Sequence, residues 1–271
     1  METLEEHYLA HDIEVRILDA LRAAGLNTEQ KLSPEELAPL DHFHTGGYQS
    51  SLRLQDMSNI LAGDRVLDLG AGLAGPARML AASPGCHVDC IDLSPDYCIG
   101  AKLLNRLTGL EDKIEVHMGS ALDLPFPDNS FDAVWMQNVG MNIENKQKLY
   151  SEIHRILKSN GQFIFQEMAA GDSVTSYFPL PWATHPSDNF LITSEEMHSV
   201  LDEIGFVAEF FEDSSDTQLN FKPNTDESTP TPQVQLSLST YVDDLAEKAE
   251  NSTRSLVEGQ IRFIRAVFRV K

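Results

Sequence analysis

The sequence predicts an α/β protein built on a doubly wound parallel sheet. The first observation is an alternation of strand-like and helix-like segments from residue 64 onward, which is typical of parallel strands joined by helices. The second is a glycine pattern, Gly70, Gly72 and Gly75, between the first strand and the first helix of that alternation. This spacing is the fingerprint of a nucleotide-binding turn. The third is Asp92, an acid at the end of the next strand.

The segments before the alternation are predicted to be helical. Apolar residues recur at helical spacing in the first segment, and Gly25 follows it as a stop signal. In the second, Ser33 is the expected N-cap and Pro34 takes the first helical position. The predicted helices are 5–24, 32–37 and about 48–61, and "DHFHTGG" (41–47) is a predicted loop.

The remaining segments follow in a regular order. The predicted strands are 65–70, 87–94, 113–119, 131–139, 162–169, 206–213 and 260–270. The predicted helices are 75–83, 95–109, 146–161 (ending at Gly161), 193–206 and 238–251. Thr193 and Glu196 have the spacing of a capping box. The polar, proline-containing segment 214–233 is predicted to be a mobile surface loop.

The composition excludes several classes of protein. The net charge is −22, from 42 acids and 20 bases, which disfavours nucleic acid as a partner. The three cysteines, Cys86, Cys90 and Cys98, have neither metal-site nor disulfide spacing. No apolar run approaches the length of a membrane span, and the first residues lack the features of a secretory signal. The sequence therefore predicts a cytoplasmic protein with a small-molecule partner and no membrane partner, and it leaves a homodimer open.

Asp68 distinguishes between two kinds of cofactor. It precedes Gly70 by two residues, where a dinucleotide would place its pyrophosphate on the helix N-terminus. At about 5 Å and an effective dielectric constant near 20, each carboxylate–phosphate pair is repulsive by roughly 3 kcal/mol. S-adenosylmethionine has no phosphate and carries an ammonium and a sulfonium. Asp92 suits the ribose of either cofactor, so Asp68 is what favours S-adenosylmethionine over a dinucleotide.

Several stretches resemble the successive motifs of class I S-adenosylmethionine-dependent methyltransferases. They are "VLDLGAGLAGPARMLA", "IDLSPDYC", "GSALDLPFPDNSFDAVWMQNV" and "EIHRILKSNGQFIFQE". The resemblance covers roughly residues 40–270, and "DHFHTGG" with "GLAGPAR" is similar to the small-molecule group (type 11-like) that includes sarcosine/dimethylglycine N-methyltransferases. It implies a Rossmann-like fold of seven strands in the order 3-2-1-4-5-7-6, with the last strand antiparallel.

The resemblance also implies a set of cofactor-binding residues. These are Asp68, Gly70, Ala71, Gly72, Gly75, Asp92, Leu93, Ser120, Ala121 and Gln137. Two positions depart from the family pattern. Ala74 stands where the group usually has a third contiguous glycine, and Ser120 stands where the family commonly has an acid that contacts the adenine amine. A hydroxyl can still accept that hydrogen bond.

Histidines are the candidates for a general base. Methyl transfer to an amine or a phenol requires that the acceptor lose a proton, and histidine titrates near neutral pH. His44 is the first choice because its loop can cover the cofactor, His185 is the second, and His42 is a further candidate. The alternative for His44 is a structural role, with its ring hydrogen-bonded to the loop backbone. No metal site is predicted.

The resemblance implies that the acceptor pocket lies in the segment 177–192 and that the sulfur of the methyl donor lies near the end of the fourth strand. Asn138 and Gln137 end that strand and carry amides that can orient a ligand. The predicted acceptor-site residues are Asn138, Tyr177, Trp182 and Phe190, with Phe178 as a neighbour. The alternative is that these aromatic residues pack a connecting loop. The motifs of adenine- and cytosine-modifying methyltransferases are absent from the sequence.

We therefore predict methyl transfer to a small molecule; the resemblance and the acidic charge balance favour an amine nitrogen as the acceptor atom. The alternatives are an O- or C-methyltransferase, an enzyme of this fold that uses the cofactor without methyl transfer, and an NAD-dependent oxidoreductase. The predicted organisation is an N-terminal helical segment (1–61) and a cofactor-binding domain (62–271) with acceptor-site insertions at about 171–192 and 214–255. Within the N-terminal segment, residues 1–47 are predicted to form a lid, and a fixed helical layer is the alternative.

Overall fold

The computed structural model describes residues 12–220 and 236–271. Its strands are β1 (Arg65–Leu69), β2 (His87–Asp92), β3 (Ile114–Met118), β4 (Phe131–Gln137), β5 (Leu157–Ala170), β6 (Phe206–Asp213) and β7 (Ile261–Val270). Its α-helices are α1 (Ile13–Ala23), α2 (Pro34–Asp41), α3 (Gly47–Asp56), α4 (Gly75–Ala82), α5 (Pro95–Thr108), α6 (Lys146–Ile156), α7 (Ser194–Ile204), α8 (Ser215–Leu219) and α9 (Leu245–Val257). Short 3₁₀ helices lie at Gly140–Asn142, Pro186–Asp188 and Leu238–Thr240.

The seven strands form one sheet in the order β3-β2-β1-β4-β5-β7-β6. Strands β1 to β5 pair in parallel, and β7 is antiparallel to both β5 and β6. The predicted strand order and the antiparallel last strand are confirmed. Because the sheet order reverses beside β1, the carboxyl ends of β1 and β4 open a crevice in which α/β sheets bind ligands.

Local sequence signals set the helix boundaries. Ser33 and Glu36 form a reciprocal capping box at the start of α2, and Thr193 and Glu196 do the same at the start of α7. Such boxes satisfy backbone N–H groups that have no partner inside the helix. Gly109 ends α5 in the left-handed conformation, with a φ of 64°, which glycine adopts at little cost.

Two apolar layers cover the sheet. Val66 and Leu67 on β1 belong to different hydrophobic clusters, because successive side chains of a strand point to opposite faces. Trp135 and Met136 on β4 divide in the same way and are fully buried. Cys90 is a buried core residue, as predicted, and all three cysteines are buried and unpaired. None of the described helices is long and apolar enough to cross a membrane.

The described part of the N-terminal segment is packed against the rest of the molecule. A third cluster joins Ile17 and Leu21 of α1 to Leu104 of α5 and to Tyr241. Helix α2 packs on α4. The apolar face expected for the first helix is therefore buried, and the part of that prediction covering residues 5–11 lies outside the described residues.

The helix predicted at 32–37 continues to Asp41, the helix predicted at about 48–61 ends at Asp56, and the strand predicted at 162–169 already begins at Leu157. Three further boundaries also differ from the structure. Helix α6 ends at Ile156, five residues before Gly161, because Leu157 is extended and pairs with Phe131 of β4. Part of the predicted loop 214–233 is helix α8, whose Ser215 hydroxyl accepts a hydrogen bond from the Phe263 backbone, and residues 221–233 lie outside the described residues. The predicted helix 238–251 begins only at Leu245 and continues to Val257.

Candidate active site

A cavity of about 690 Å³ lies at the carboxyl ends of β1, β2 and β4. The glycine turn, the ends of β2 and β4 and the loop after β3 form one side of it. The loop before α3, the segment that includes α9, and Pro181, Trp182 and Phe190 form the other side. The volume falls in the range of roughly 300–1,000 Å³ that is usual for small-molecule sites.

The three glycines of the turn have three different structural roles. Gly70 has a φ of +69°, and a Cβ there would overlap the side chain of Val139. Gly72 has a φ of +53°, and a Cβ there would meet no atom within 4 Å, so this position faces open space. A Cβ on Gly75 would lie 2.5 Å from the Asp41 carbonyl oxygen and 2.5 Å from His42 Nδ1. The missing side chain at Gly75 therefore allows Asp41 and His42 of the N-terminal segment to pack closely against the turn, rather than making room for the cofactor.

Asp68 is buried beneath the turn with one carboxylate oxygen unsatisfied. Asp68 is one of the residues that line the cavity, and its Oδ2 has no hydrogen-bond partner among the described residues. Burial raises the pKa of Asp68 to about 7, although the backbone N–H of Ala77 favours the carboxylate. An unpaired buried carboxylate is costly in the free protein. This oxygen is therefore suited to a cationic ligand group.

Asp92 holds the glycine turn as well as facing the cavity. Its Oδ2 accepts a hydrogen bond from Gly72 N at 2.8 Å, and its Oδ1 accepts one from Ser94 N at 2.9 Å. Burial raises the pKa of Asp92, and the backbone hydrogen bonds that it accepts only partly offset this rise. Each carboxylate oxygen has two lone pairs, so Asp92 can accept ribose hydroxyls while it fixes the turn.

An ion network attaches α2 to α4 below the cavity. Arg78 is fully buried, and its Nη2 donates to Asp41 Oδ2 at 2.7 Å. Asp41 Oδ1 lies 2.6 Å from His42 Nδ1. Burial opposes ionisation of Asp41, but Arg78 and His42 outweigh it and hold its pKa below the usual value. His42 is thus a structural partner of Asp41, and Asp41 and Arg78 are residues that the sequence did not indicate.

His44 lines the cavity, but both of its ring nitrogens face hydrogen-bond partners. Ser51 Oγ donates to Gln137 Oε1 at 2.9 Å, so it accepts from His44 Nε2 at 3.0 Å. His44 Nδ1 then faces the amide nitrogens of Gln137 and Gln166 at 3.4 and 3.3 Å. Burial, with His42 nearby, lowers the pKa of His44 to about 3. The ring is therefore neutral at pH 7 and a weak base.

The polar floor at the ends of β4 and β5 extends this network. Gln137 Oε1 also accepts from Trp135 Nε1 at 2.8 Å. Gln166 Nε2 donates to Asn138 Oδ1 at 3.2 Å and to the Thr45 carbonyl at 2.9 Å. The sequence indicated Gln137 and Asn138 but missed Gln166 and Ser51. The strand-end position of Gln166, directly beside Gln137 in the sheet, is the signal that points to it.

Most of the predicted site residues meet at this cavity. Those that line it are His44, Asp68, Gly70, Ala71, Gly72, Asp92, Leu93, Ser120, Ala121, Gln137, Asn138, Trp182 and Phe190. Three others lie outside the lining. Gly75 packs against Asp41. Tyr177 donates to Glu258 at 2.7 Å under the guanidinium of Arg254. His185 is exposed beside a 3₁₀ helix and is not placed to take a proton inside the cavity.

Comparison with known sequences agrees with the fold and the turn. A family model described as a methyltransferase domain matches residues 67–165. The chain is 38% identical over 135 residues to a glycine/sarcosine/dimethylglycine N-methyltransferase of Actinopolyspora halophila, covering 50% of this chain and 24% of that protein. It is 39% identical over 105 residues to a sterol 24-C-methyltransferase of Gibberella zeae, covering 38% of this chain and 27% of that protein. The matches thus span about a quarter of each relative's length.

Solved structures extend the likeness over most of the chain. A Haemonchus contortus phosphoethanolamine N-methyltransferase 2 bound to S-adenosyl-L-methionine has a TM-score of 0.72 at 18% identity, covering 100% of this chain and 60% of that chain. A geranyl diphosphate C-methyltransferase from Streptomyces coelicolor A3(2), in complex with S-adenosyl-L-homocysteine, has a TM-score of 0.65 at 17% sequence identity. The match covers 82% of this chain and 79% of that chain. The [4+2]-cyclase SpnF has a TM-score of 0.66 at 19% sequence identity, and the match covers 99% of this chain and 97% of that chain.

Strand order, glycine turn and the acid beneath it define a class I methyltransferase fold. Residues 67–165 match the family model described as a methyltransferase domain, and the two methyltransferase structures compared above hold S-adenosyl-L-methionine or S-adenosyl-L-homocysteine. The resemblance stated from the sequence is confirmed.

Proposed function

We propose that this protein binds S-adenosylmethionine and transfers its methyl group to a small-molecule acceptor. The observation that carries the proposal is the buried Asp68, a residue of the cavity lining whose Oδ2 has no hydrogen-bond partner among the described residues. The ammonium of the cofactor supplies the missing charge and hydrogen bond. A pyrophosphate would instead add repulsion at the same place.

The donor set suits the rest of the cofactor. Asp92, at the end of β2, offers lone pairs to two ribose hydroxyls. Ser120 lines the cavity, and its Oγ already accepts a bond from Leu122 N at 3.2 Å, so its own hydroxyl hydrogen is available to an adenine ring nitrogen. Gly72 presents no side chain to the cavity. These contacts support a bound cofactor that lies along the glycine turn.

S-adenosylmethionine supplies an already activated methyl group, so the protein mainly aligns the acceptor and excludes water. Alignment of this kind contributes roughly 7–11 kcal/mol in favourable cases. The network of Gln137, Ser51 and His44 gives the cavity a rigid, neutral floor beside the end of β4. Trp182 and Phe190 wall the opposite side. Together they can hold an acceptor against the methyl group.

An amine nitrogen is the acceptor atom that we favour. Apolar surroundings disfavour the ammonium form of a buried amine and lower its pKa, so the proton leaves to solvent as the amine enters. This route requires no protein base, which is consistent with the low pKa of His44 and with the outward position of His185.

A second candidate is an enzyme of the same fold that uses the cavity for ring closure without methyl transfer. The observation that favours it is the likeness to the [4+2]-cyclase SpnF, which extends over 99% of this chain and 97% of that one. In that case Asp68 and Asp92 would still bind the cofactor, but the cofactor would not be consumed.

One experiment separates these functions. The protein is incubated with methyl-labelled S-adenosylmethionine and a library of amines, phenols and polyenes, and S-adenosylhomocysteine and labelled products are measured by mass spectrometry. Labelled product with stoichiometric S-adenosylhomocysteine is expected. Cofactor binding with product formation but no S-adenosylhomocysteine would favour the second candidate. Preferential binding of NAD, measured by calorimetry, would contradict both.

A further inference from the structure

The acceptor side of the cavity is rich in apolar surface, and the described residues that line it supply no lysine or arginine. The only imidazole there is His44, whose ring is neutral because both nitrogens are engaged in the polar floor. The charged residues of the lining are all acids, namely Asp41, Asp68, Asp92 and Glu144.

Two cationic side chains lie close to the cavity, but both donate hydrogen bonds to other groups of the protein. Arg78 donates to Asp41, Asn105 and the Leu73 carbonyl. Lys146 donates to the carbonyl oxygen of Ile143 and, at 2.6 Å, to that of Phe190. Both side chains are buried, and neither belongs to the lining. Their donors hold the cavity walls together instead of facing a ligand.

The apolar wall comes from separate parts of the chain. Its members are Phe43, Met141, Trp182, Phe190, Leu238, Tyr241 and Leu245. Trp182 is held in place by its Nε1, which donates to Asn189 at 2.8 Å. Tyr241 packs edge-on against Phe43 and Tyr97, with ring centroids 6.3 and 5.6 Å apart. A wall of interlocked aromatic rings suits a ligand with a sizeable apolar body.

We infer that the acceptor is a predominantly apolar molecule with no carboxylate, phosphate or diphosphate group. An anionic group would enter a largely apolar space in which none of the described lining residues is a lysine or arginine that could pair with it. Burying an unpaired charge in such surroundings is strongly unfavourable. A neutral amine avoids this cost because it brings no charge into the apolar space. The inference rests on the proposed function and narrows its substrate class.

The test compares two molecules that differ only by a carboxylate. N-methylphenethylamine and N-methylphenylalanine are titrated calorimetrically into the protein saturated with S-adenosylhomocysteine. The first is expected to bind at least tenfold more tightly than the second, and labelled methyl transfer from S-adenosylmethionine should follow the same order. Equal or tighter binding of N-methylphenylalanine would overturn the inference, and so would the failure of both to bind at millimolar concentration.

A charge-adding variant checks the cause of the selectivity. Ser252 lines the cavity on α9, and Ser252→Arg supplies the missing cation, so it should reduce the tenfold difference or reverse it. Ala246→Arg is the matched control because it adds the same charge to an exposed position of the same helix outside the lining; its selectivity should equal that of the unmodified protein. Unchanged selectivity in a folded Ser252→Arg variant would overturn the electrostatic argument.

The same samples show which proposal fails if one does. S-adenosylhomocysteine binding is measured before either amine is added. No binding at that stage would contradict the proposed function, and the inference with it. Binding of S-adenosylhomocysteine followed by preference for the carboxylated molecule would overturn only the substrate class.

Discussion

Asp68→Asn should make the free protein more stable at alkaline pH while it weakens cofactor binding. The folded protein holds the pKa of Asp68 at about 7, against a usual value of 3.8, chiefly because the side chain is buried. A folded-state pKa above the unfolded value stabilises the protein below pH 3.8, and this stabilisation is lost as the pH rises through 7. The carboxylate is therefore destabilising at pH 8.

The size of the effect follows from the shift. A difference of about 3 pKa units corresponds to about 4 kcal/mol at most, at 1.36 kcal/mol per unit. Asparagine removes the charge but leaves an amide without a full set of partners, which costs about 1–3 kcal/mol. The net gain in the free energy of unfolding is thus roughly 1–3 kcal/mol at pH 8.5. It should be near zero at pH 5.5, because only the unfolded chain is ionised there: the remaining penalty of roughly 2 kcal/mol, from about 1.7 pKa units, is offset by the cost of the amide.

Cofactor affinity should change in the opposite direction. A hydrogen bond to a charged group contributes roughly 1.5–3 kcal/mol, so the dissociation constant for S-adenosylmethionine should rise by roughly 10- to 150-fold at pH 8. In the unmodified protein, affinity should fall about tenfold between pH 8 and pH 6 as Asp68 gains its proton. The variant should lack this part of the pH dependence, and comparison at equal pH cancels titration of the cofactor itself.

The assay combines urea unfolding at the two pH values with isothermal titration calorimetry. Asp89→Asn is the matched control. Asp89 is also buried on a neighbouring strand, but it accepts hydrogen bonds from Arg65 and His117 and lies outside the cavity lining. This control should lose stability and keep cofactor affinity. Unchanged affinity of Asp68→Asn, or a loss of stability at pH 8.5, would refute the role assigned to Asp68.

Four other results are expected. Asp92→Ala should lower cofactor affinity, measured by calorimetry. It should also lower the free energy of unfolding, measured in urea, by about 1–3 kcal/mol, because Asp92 accepts two backbone hydrogen bonds of the turn. Unchanged stability would contradict this structural role. Gly75→Ala should lower the free energy of unfolding by about 1–3 kcal/mol or more through overpacking. Gly72→Ala should mainly weaken cofactor binding, since its Cβ enters open space. The same losses of stability and affinity in both variants would contradict the separate roles of the two glycines. His44→Gln should keep turnover within about tenfold in a labelled-methyl assay, and a loss of about 10²–10⁴-fold would restore its role as general base. Limited proteolysis tests the lid: cleavage in 41–47 that S-adenosylhomocysteine suppresses is expected of a lid, and an unchanged pattern would favour a fixed layer.

Local signals in the sequence were sufficient to predict the framework of the site. The positions of β1, the glycine turn and Asp92 follow from apolar periodicity and spacing over short distances. The argument that a carboxylate at Asp68 disfavours a pyrophosphate needs only Coulomb's law and its place beside Gly70. The capping boxes at Ser33 and Thr193 are equally local, since each involves residues three positions apart.

Side-chain environments depended on residues far apart in the chain. His44 suits catalysis when only its loop is considered, but its ring meets Ser51, Gln137 and Gln166, which lie 7, 93 and 122 positions away. Burial among these groups lowers its pKa and removes it as a strong base. Gly75 fits the cofactor fingerprint, yet the close approach of Asp41 is what requires glycine there.

Which residues line the cavity was likewise decided only by tertiary structure. The sequence contains 20 lysine and arginine residues, and composition cannot tell which of them face a ligand. Packing buries Arg78 and Lys146 against carbonyl and carboxylate oxygens, while Trp182 and Phe190 reach the lining and Tyr177 does not. Local periodicity determines which segments form strands and helices, but long-range packing determines which charges remain available at the site, because a charge is neutralised by its neighbours in space.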